Sequence, residues 1–287
     1  MERKGNPVLV GDLLDRFWKA NTKAEEAAKF RGRKDIFIGT DGKARCRRCG
    51  EPVMFYFAET NRWLPCACKC KSETEEDELA ERVAYFKSRS GIEGRYAEAD
   101  FEKFEETEEN RDAFQSCLKY ALNYEKVEKK GYGIYLHGAC GTGKTYLAAC
   151  IGNLLLNAGK EVVLANVNTI LTEIRYSYSQ RGSERGIVER YMTAGLVIFD
   201  DIGTEKYAKA NESLSFAQDK FFQIIDGRYV RRKPTIFTSN YTLEQLVNER
   251  GMMVKTVDRI AEMSTRKFEV KGRPHRLERI TDKDCPF

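Results

Sequence analysis

Apolar positions recur along this 287-residue chain with two periods, and the switches between them mark the elements. Leu9, Leu13, Leu14, Phe17 and Trp18 fall at helical spacing with charges between them, which predicts a helix over residues 7–30. Its apolar face serves as the core of a small domain or as a surface for a partner. Leu79, Val83 and Phe86 predict a connecting helix within residues 71–90, ended by the turn-rich Ser90–Arg95. Phe114, Leu118, Ala121 and Val127 predict one amphipathic helix over 111–129.

Downstream, short continuous apolar runs replace the helical stripe. Gly133–His137, Val162–Leu164 and Leu196–Phe199 each read as a buried strand, and Pro234–Asn240 reads as another that ends in polar residues. A strand apolar on both faces fits a parallel sheet covered by helices on both sides. Helical patterns separate these runs: residues 146–155, 168–193 with breaks near Gly182 and Gly186, 212–230 and 252–263. Thr242-Leu243-Glu244-Gln245 is a capping box that opens a further helix. Two short segments follow, Lys267–Val270 and Arg276–Ile280. The alternation of strand and helix gives the fold class, α/β with a central parallel sheet.

Composition narrows the class. Charged residues make up 32% and apolar residues 41%, as in an ordinary soluble protein, and the net charge of +5 permits nucleic-acid contact without demanding it. No apolar run approaches the roughly 18 residues of a membrane helix. Met1–Gly5 leads into no apolar signal core, so the expected location is cytoplasmic. Nine cysteines in that setting are expected to bind metal or stay reduced.

The chemistry concentrates in Gly138-Ala139-Cys140-Gly141-Thr142-Gly143-Lys144-Thr145, which fits G-x-x-x-x-G-K-[ST]. Its glycines let backbone N–H groups close around a phosphate at the N-terminus of the following helix. Lys144 places a positive charge at the β- and γ-phosphates, and the Thr145 hydroxyl is a ligand for Mg²⁺. A buried strand before and a helix after supply the context the motif needs, so ATP with Mg²⁺ is the expected ligand.

Leu196–Asp201 is an apolar run that ends in two carboxylates. In a parallel sheet, ligands gather at that end of the strands. Asp200 would hold Mg²⁺ through water, and Asp201 would orient or deprotonate the attacking water. The plainer reading is a pair of helix-capping aspartates. Asn240, at the tip of the next strand, can hydrogen-bond the γ-phosphate or that water, and Asn is also a common turn residue. A basic cluster of Arg228, Arg231, Arg232 and Lys233 precedes that strand.

Nearer the N-terminus, Cys46-Arg47-Arg48-Cys49 and Cys66-Ala67-Cys68-Lys69-Cys70 have the spacing of a zinc site. Zinc takes four thiolates and five are offered. Cys46, Cys49, Cys68 and Cys70 are the expected set, with Cys66 in place of Cys70 as the alternative. Val53, Phe55, Phe57 and Trp63 would form the small hairpin that the metal staples. An all-thiolate site is closed to substrate, so its role would be structural.

In order and spacing, Gly138–Thr145, Leu196–Asp201 and Thr235–Leu246 resemble the AAA+ ATPases of the bacterial helicase-loader group (DnaC and DnaI). Transposition ATPases of the IstB type are close relatives. Phe199–Glu205 and Thr238-Ser239-Asn240 carry the resemblance most specifically. It covers about residues 95–287, and more weakly the cysteine-bearing region, which is similar to the zinc-containing N-terminal domain of some loaders. It implies an AAA+ P-loop domain over 95–287 and a zinc-stapled partner domain with its connecting helix over 1–90.

The resemblance also implies roles. Gly138–Thr145 would be Walker A, Asp200 and Asp201 Walker B, and Asn240 sensor 1. Arg259, in Asp258-Arg259-Ile260, would be an arginine finger acting on ATP held by a neighbouring subunit. Arg276 lies in the region of sensor 2 with looser spacing. The implied partners are a replicative DNA helicase, single-stranded DNA and further copies of this chain joined through their ATP sites, with no membrane. The implied activity is ATP hydrolysis. Asp200-Asp201 departs from the Asp-Glu of most AAA+ members, and the shorter Asp201 implies slow turnover used as a timed switch. An IstB-like regulator on duplex DNA and a non-hydrolysing scaffold are the alternatives.

Overall fold

The computed structural model describes residues 36–39, 43–57, 62–65, 69–179, 183–204 and 212–272. The chain divides into two units, residues 1–80 and 81–287.

In the first unit, β1 (Ile36–Ile38) and β2 (Ala44–Cys46) pair antiparallel, as do β3 (Met54–Phe57) and β4 (Arg62–Pro65). The β3–β4 pair is a hairpin at the place where one was expected from Val53, Phe55, Phe57 and Trp63, with Val53 just before β3. Cys46 and Cys49 bracket a tight turn closed by the Gly50 N–H on the Cys46 carbonyl at 2.9 Å. Among the described residues, no group of three or more His, Cys, Asp or Glu comes together. Cys66 and Cys68 lie outside the described residues, as does the predicted helix over 7–30. Cys70 falls in the first turn of α1 (Lys69–Arg89), the connecting helix.

The second unit is built on a five-stranded sheet in the order β6-β7-β8-β5-β9, with every pair parallel. Its strands are β5 (Gly133–His137), β6 (Val162–Ala165), β7 (Leu196–Ile202), β8 (Thr235–Ser239) and β9 (Ser264–Glu269). Side chains alternate between two apolar clusters, one on each face. Tyr135, Val197, Phe199 and Phe237 enter one; Ile134, Leu136, Leu196, Ile198 and Ile236 enter the other. That is why β6 and the Leu196–Phe199 stretch of β7 are apolar throughout, whereas the edge strand β9 is mostly polar and exposed.

Helices α2 (Arg111–Leu122), α3 (Tyr124–Lys130) and α4 (Lys144–Asn157) cover the second face. Helices α5 (Val167–Ser179), α6 (Glu184–Thr193), α7 (Glu212–Val230) and α9 (Val254–Met263) cover the first, with α8 (Leu243–Asn248) at its margin. Each large apolar side chain buried in these layers contributes about 1.5–3 kcal/mol.

Two expectations need correction. The single helix over 111–129 is two helices. Asn123 leaves helical geometry between them, and its side-chain amide donates to the Lys119 carbonyl, the local competition that makes Asn a capping residue. Gly186 does not break a helix but lies inside α6, whose cap is Ser183 accepting from the Gly186 N–H. For the basic cluster before β8 the sequence carried no reading of exposure, and the structure buries Arg228 completely, at 0% exposed. Its guanidinium donates to the carbonyls of Tyr191, Ala194 and Pro234 and to Thr235 Oγ1, at 2.6 to 3.1 Å. Burial pulls its pKa down to about 9, so it stays charged at neutral pH while tying the end of α6 to the start of β8.

Candidate functional site

Strands β7, β8 and β5 are neighbours in the sheet, so whatever follows their C-terminal ends is brought together. Register fixes the heights: Phe199 lies opposite Phe237, and His137 opposite Ser239. Just beyond stand Asp200 and Asp201 from β7, Thr238 and Asn240 from β8, and the glycine-rich loop from β5. The loop runs directly into α4, whose first residue is Lys144.

The loop's last turn shows why glycine is needed there. Gly143 has φ +93°, and a Cβ on it would stand 2.9 Å from Cε2 of Phe104. Phe104 is in turn stacked on Phe114. The end of the loop therefore rests on an aromatic shelf, and only glycine fits between that shelf and the backbone. Thr142 Oγ1 closes the loop on itself through the Ala139 carbonyl at 3.0 Å.

A connected set of hydrogen bonds joins the three strand ends. Lys144, only 6% exposed, donates from Nζ to the carbonyls of Gly138 (2.9 Å) and Ala139 (2.7 Å) and to Asn240 Oδ1 (2.9 Å). Asn240 donates from Nδ2 to Asp201 Oδ1 at 2.8 Å. The Asp201 N–H donates to Thr238 Oγ1 at 2.8 Å, and that hydroxyl donates to Asp200 Oδ1 at 2.6 Å. Thr145 Oγ1 donates to the same Asp200 oxygen at 2.7 Å. Lys144 and Thr145 are adjacent, so the set closes into a ring.

The local backbone makes this ring possible. The β7–β8 register shifts between Phe199 and Ile202, and Asp201 takes φ +53°. The bulge turns two consecutive aspartates toward the same region, where a regular strand would send them to opposite faces. Beside the ring, His137 ends β5. Burial holds its pKa below the ordinary histidine value, Lys144 adds to that, and Glu269 opposes it.

Chemically, the ring offers two groups of opposite kind. Lys144 and the loop N–H groups, at the N-terminus of a long helix, suit a polyanion. The Thr145 hydroxyl and Asp200 carboxylate are hard oxygen donors meeting at one point, as Mg²⁺ requires. The donor set therefore fits magnesium-bound triphosphate.

All the residues read from the sequence as Walker A, Walker B and sensor 1 converge here. Arg259 does not join them. Its Nε donates to Asp226 Oδ1 at 3.1 Å, its Nη1 lies 3.8 Å from Glu262, and its guanidinium sits 4.2 Å from the centre of the Tyr229 ring. Arg276 lies outside the described residues. The sequence reading gave no role to Thr238, fully buried between both aspartates. Its signal is weak, because Thr235 and Ser239 put two further hydroxyls in the same strand.

The family model described as IstB-like ATP binding protein matches residues 94–282. The replicative helicase loader DnaC of Escherichia coli (strain K12) is 26% identical over 182 residues, covering 63% of this chain and 71% of that protein. The replicative helicase loader DnaI of Bacillus subtilis (strain 168) is 27% identical over 150 residues, covering 52% of this chain and 46% of that protein. The crystal structure of the DnaC helicase loader superposes with a TM-score of 0.52 at 20% identity, covering 62% of this chain and 100% of that one, a likeness of fold.

Proposed function

The chain belongs to the IstB-like ATP binding protein family, and from that premise we propose that it is an ATP-hydrolysing helicase loader or loader-like accessory factor. The observation that carries this reading is the ring from Lys144 through Asn240, Asp201, Thr238 and Asp200 to Thr145, set in a domain homologous to replicative helicase loaders.

In this reading Lys144 and the loop N–H groups hold the β- and γ-phosphates, while Thr145 and Asp200 hold Mg²⁺. The metal, when bound, draws negative charge away from the triphosphate. Asp201 orients the attacking water and accepts its proton, and Asn240 holds that carboxylate at one fixed distance. Asp201 is one methylene shorter than glutamate, which favours slow hydrolysis suited to a switch. Arg259 would act on the ATP of a neighbouring copy, which makes self-association part of the activity. Its guanidinium is about a third exposed, within reach of a second chain.

The N-terminal region, residues 1–90, would carry zinc on Cys46, Cys49, Cys68 and Cys70 and grip a replicative helicase. The tight Cys46–Cys49 turn supports the first half of that ligand set. Elemental analysis of the purified chain, expected to give one zinc per chain, tests it. The 95–287 domain would contact single-stranded DNA in a salt-sensitive, sequence-independent way.

The decisive experiment mixes the chain with its host's replicative helicase, ATP and single-stranded DNA. ATP-dependent deposition of helicase on the strand is expected; deposition unaffected by the chain overturns the reading. The IstB-like match, taken with the resemblance to transposition ATPases, keeps one second reading, a transposition regulator on duplex DNA. Preference for duplex over single strands in a binding titration would select it.

A further inference from the structure

The backbone leaves the Asp200-Asp201 bulge through a strained turn. Asp201 has φ +53° and Gly203 φ +89°, and the Asp201 carbonyl accepts from Thr204 Oγ1 at 2.7 Å. Gly203 tolerates no side chain, since a Cβ would stand 2.3 Å from Leu246 Cδ2 and 3.2 Å from the Tyr241 ring. A non-glycine residue at positive φ persists only where its surroundings over-determine it.

Arg250 supplies that constraint. Its Nε donates to the Gly203 carbonyl and its Nη2 to the Thr204 carbonyl at 2.8 Å. The guanidinium also lies 4.8 Å from the centre of the Tyr241 ring. Tyr241 directly follows Asn240, and its own carbonyl accepts from the Tyr135 hydroxyl at 2.6 Å. One side chain thus braces the backbone just past Asp201 and the ring just past Asn240, the two residues whose side chains meet at 2.8 Å.

We infer that Arg250 is a positioning residue for ATP hydrolysis: it fixes the turn that aims the Asp201 carboxylate at Asn240 and the attacking water. This rests on the hydrolytic reading above. Arginine suits the task because its rigid fork reaches two successive carbonyls at once, whereas a lysine ammonium is a single point.

Steady-state ATPase assays on the full chain test it. Arg250→Ala is expected to lower kcat by roughly 10- to 100-fold, since misplacing a reacting group by about 1 Å can cost about 100-fold. Affinity for ATP changes less than about threefold, because Lys144 and Thr145 are untouched. Arg250→Lys recovers only part of the rate, and it carries the test if the alanine variant does not fold. The double variant Asp201→Asn/Arg250→Ala turns over no slower than Asp201→Asn alone, because no carboxylate is left to aim. Unchanged kcat, a loss confined to ATP affinity, or additive losses in the double variant overturn the inference.

Amide exchange gives a reading that needs no turnover. Exchange rises across Asp201–Thr204 in Arg250→Ala while β5 keeps its protection; an unchanged pattern overturns the inference. The two readings fail separately. Full turnover in Asp201→Asn sinks the hydrolytic reading and this inference with it, whereas an inactive Asp201→Asn beside a fully active Arg250→Ala removes Arg250 alone.

Discussion

Lys144 Nζ lies 2.9 Å from Asn240 Oδ1 across 96 residues of sequence. The first begins a helix and the second ends a strand, so the contact measures how accurately the sheet aligns the ends of β5 and β8. Asn240 passes the link to Asp201. The cation that would meet the γ-phosphate and the carboxylate that would meet the water are thereby held by one amide.

Lys144→Ala removes the buried cation of the loop. ATP affinity is expected to fall at least about 100-fold, or about 2.7 kcal/mol. Titration with a fluorescent ATP analogue measures it, and retained affinity removes the loop from the binding site.

Asp201→Asn keeps the shape of the side chain and an acceptor for Asn240 but loses the base. Binding should persist while turnover drops by about 10² to 10⁴. Release of phosphate at saturating ATP is the measurement, and a normal rate there excludes Asp201 from the chemistry.

Thr238→Val substitutes a methyl for the hydroxyl that joins the two aspartates. The Asp201 N–H is left without its acceptor at a part-buried position, at a cost of about 1 kcal/mol in stability. Thermal melting should register this, with a parallel loss of turnover, and Thr238→Ser should restore both. A melting temperature equal to the parent's shows the bridge to be dispensable.

Arg259→Ala should bind ATP normally and lose the hydrolysis that depends on assembly. Mixed with Lys144→Ala protein, it should regain some turnover, since each variant keeps the part the other lacks. Two inactive proteins that stay inactive when mixed argue against action across subunits.

His137 is one of only two histidines, so its proton resonance can be followed by NMR. Burial lowers its pKa below the ordinary 6.5, with Lys144 contributing. Between the two values the unfolded chain binds the proton and the folded chain does not. The stability supplied by neutral His137 is therefore complete above about pH 6.5 and declines as pH falls below it. Lys144→Ala should raise the His137 pKa; a titration midpoint at or above 6.5 in the parent contradicts the environment described.

Much of the site was legible because its residues are local in sequence. The spacing from Gly138 to Thr145 is a backbone requirement, met within one turn between strand and helix. Leu196–Phe199 announces its double burial by lacking polar residues. What stayed hidden depends on contacts at a distance. Arg228 reads as one more cation in a basic cluster, and only burial against Tyr191, Ala194 and Pro234 makes it an internal tie. Asn123 reads as part of a continuous amphipathic stripe until its own side chain captures the Lys119 carbonyl.

By itself, the order of residues determined the α/β class, the phosphate loop and the twin aspartates at a strand end, because each follows from a period or a turn that neighbouring residues impose, whereas Asn240 stood out only through the resemblance to the loader group. Tertiary structure alone decided that Thr238 bridges the two aspartates, that Arg250 braces the turn beyond them, and that Arg259 stands with Asp226 and Tyr229 instead of beside Lys144. Such pairings depend on strand order and register in a parallel sheet, where neighbours in space lie tens of residues apart along the chain and no local pattern encodes which ends will meet.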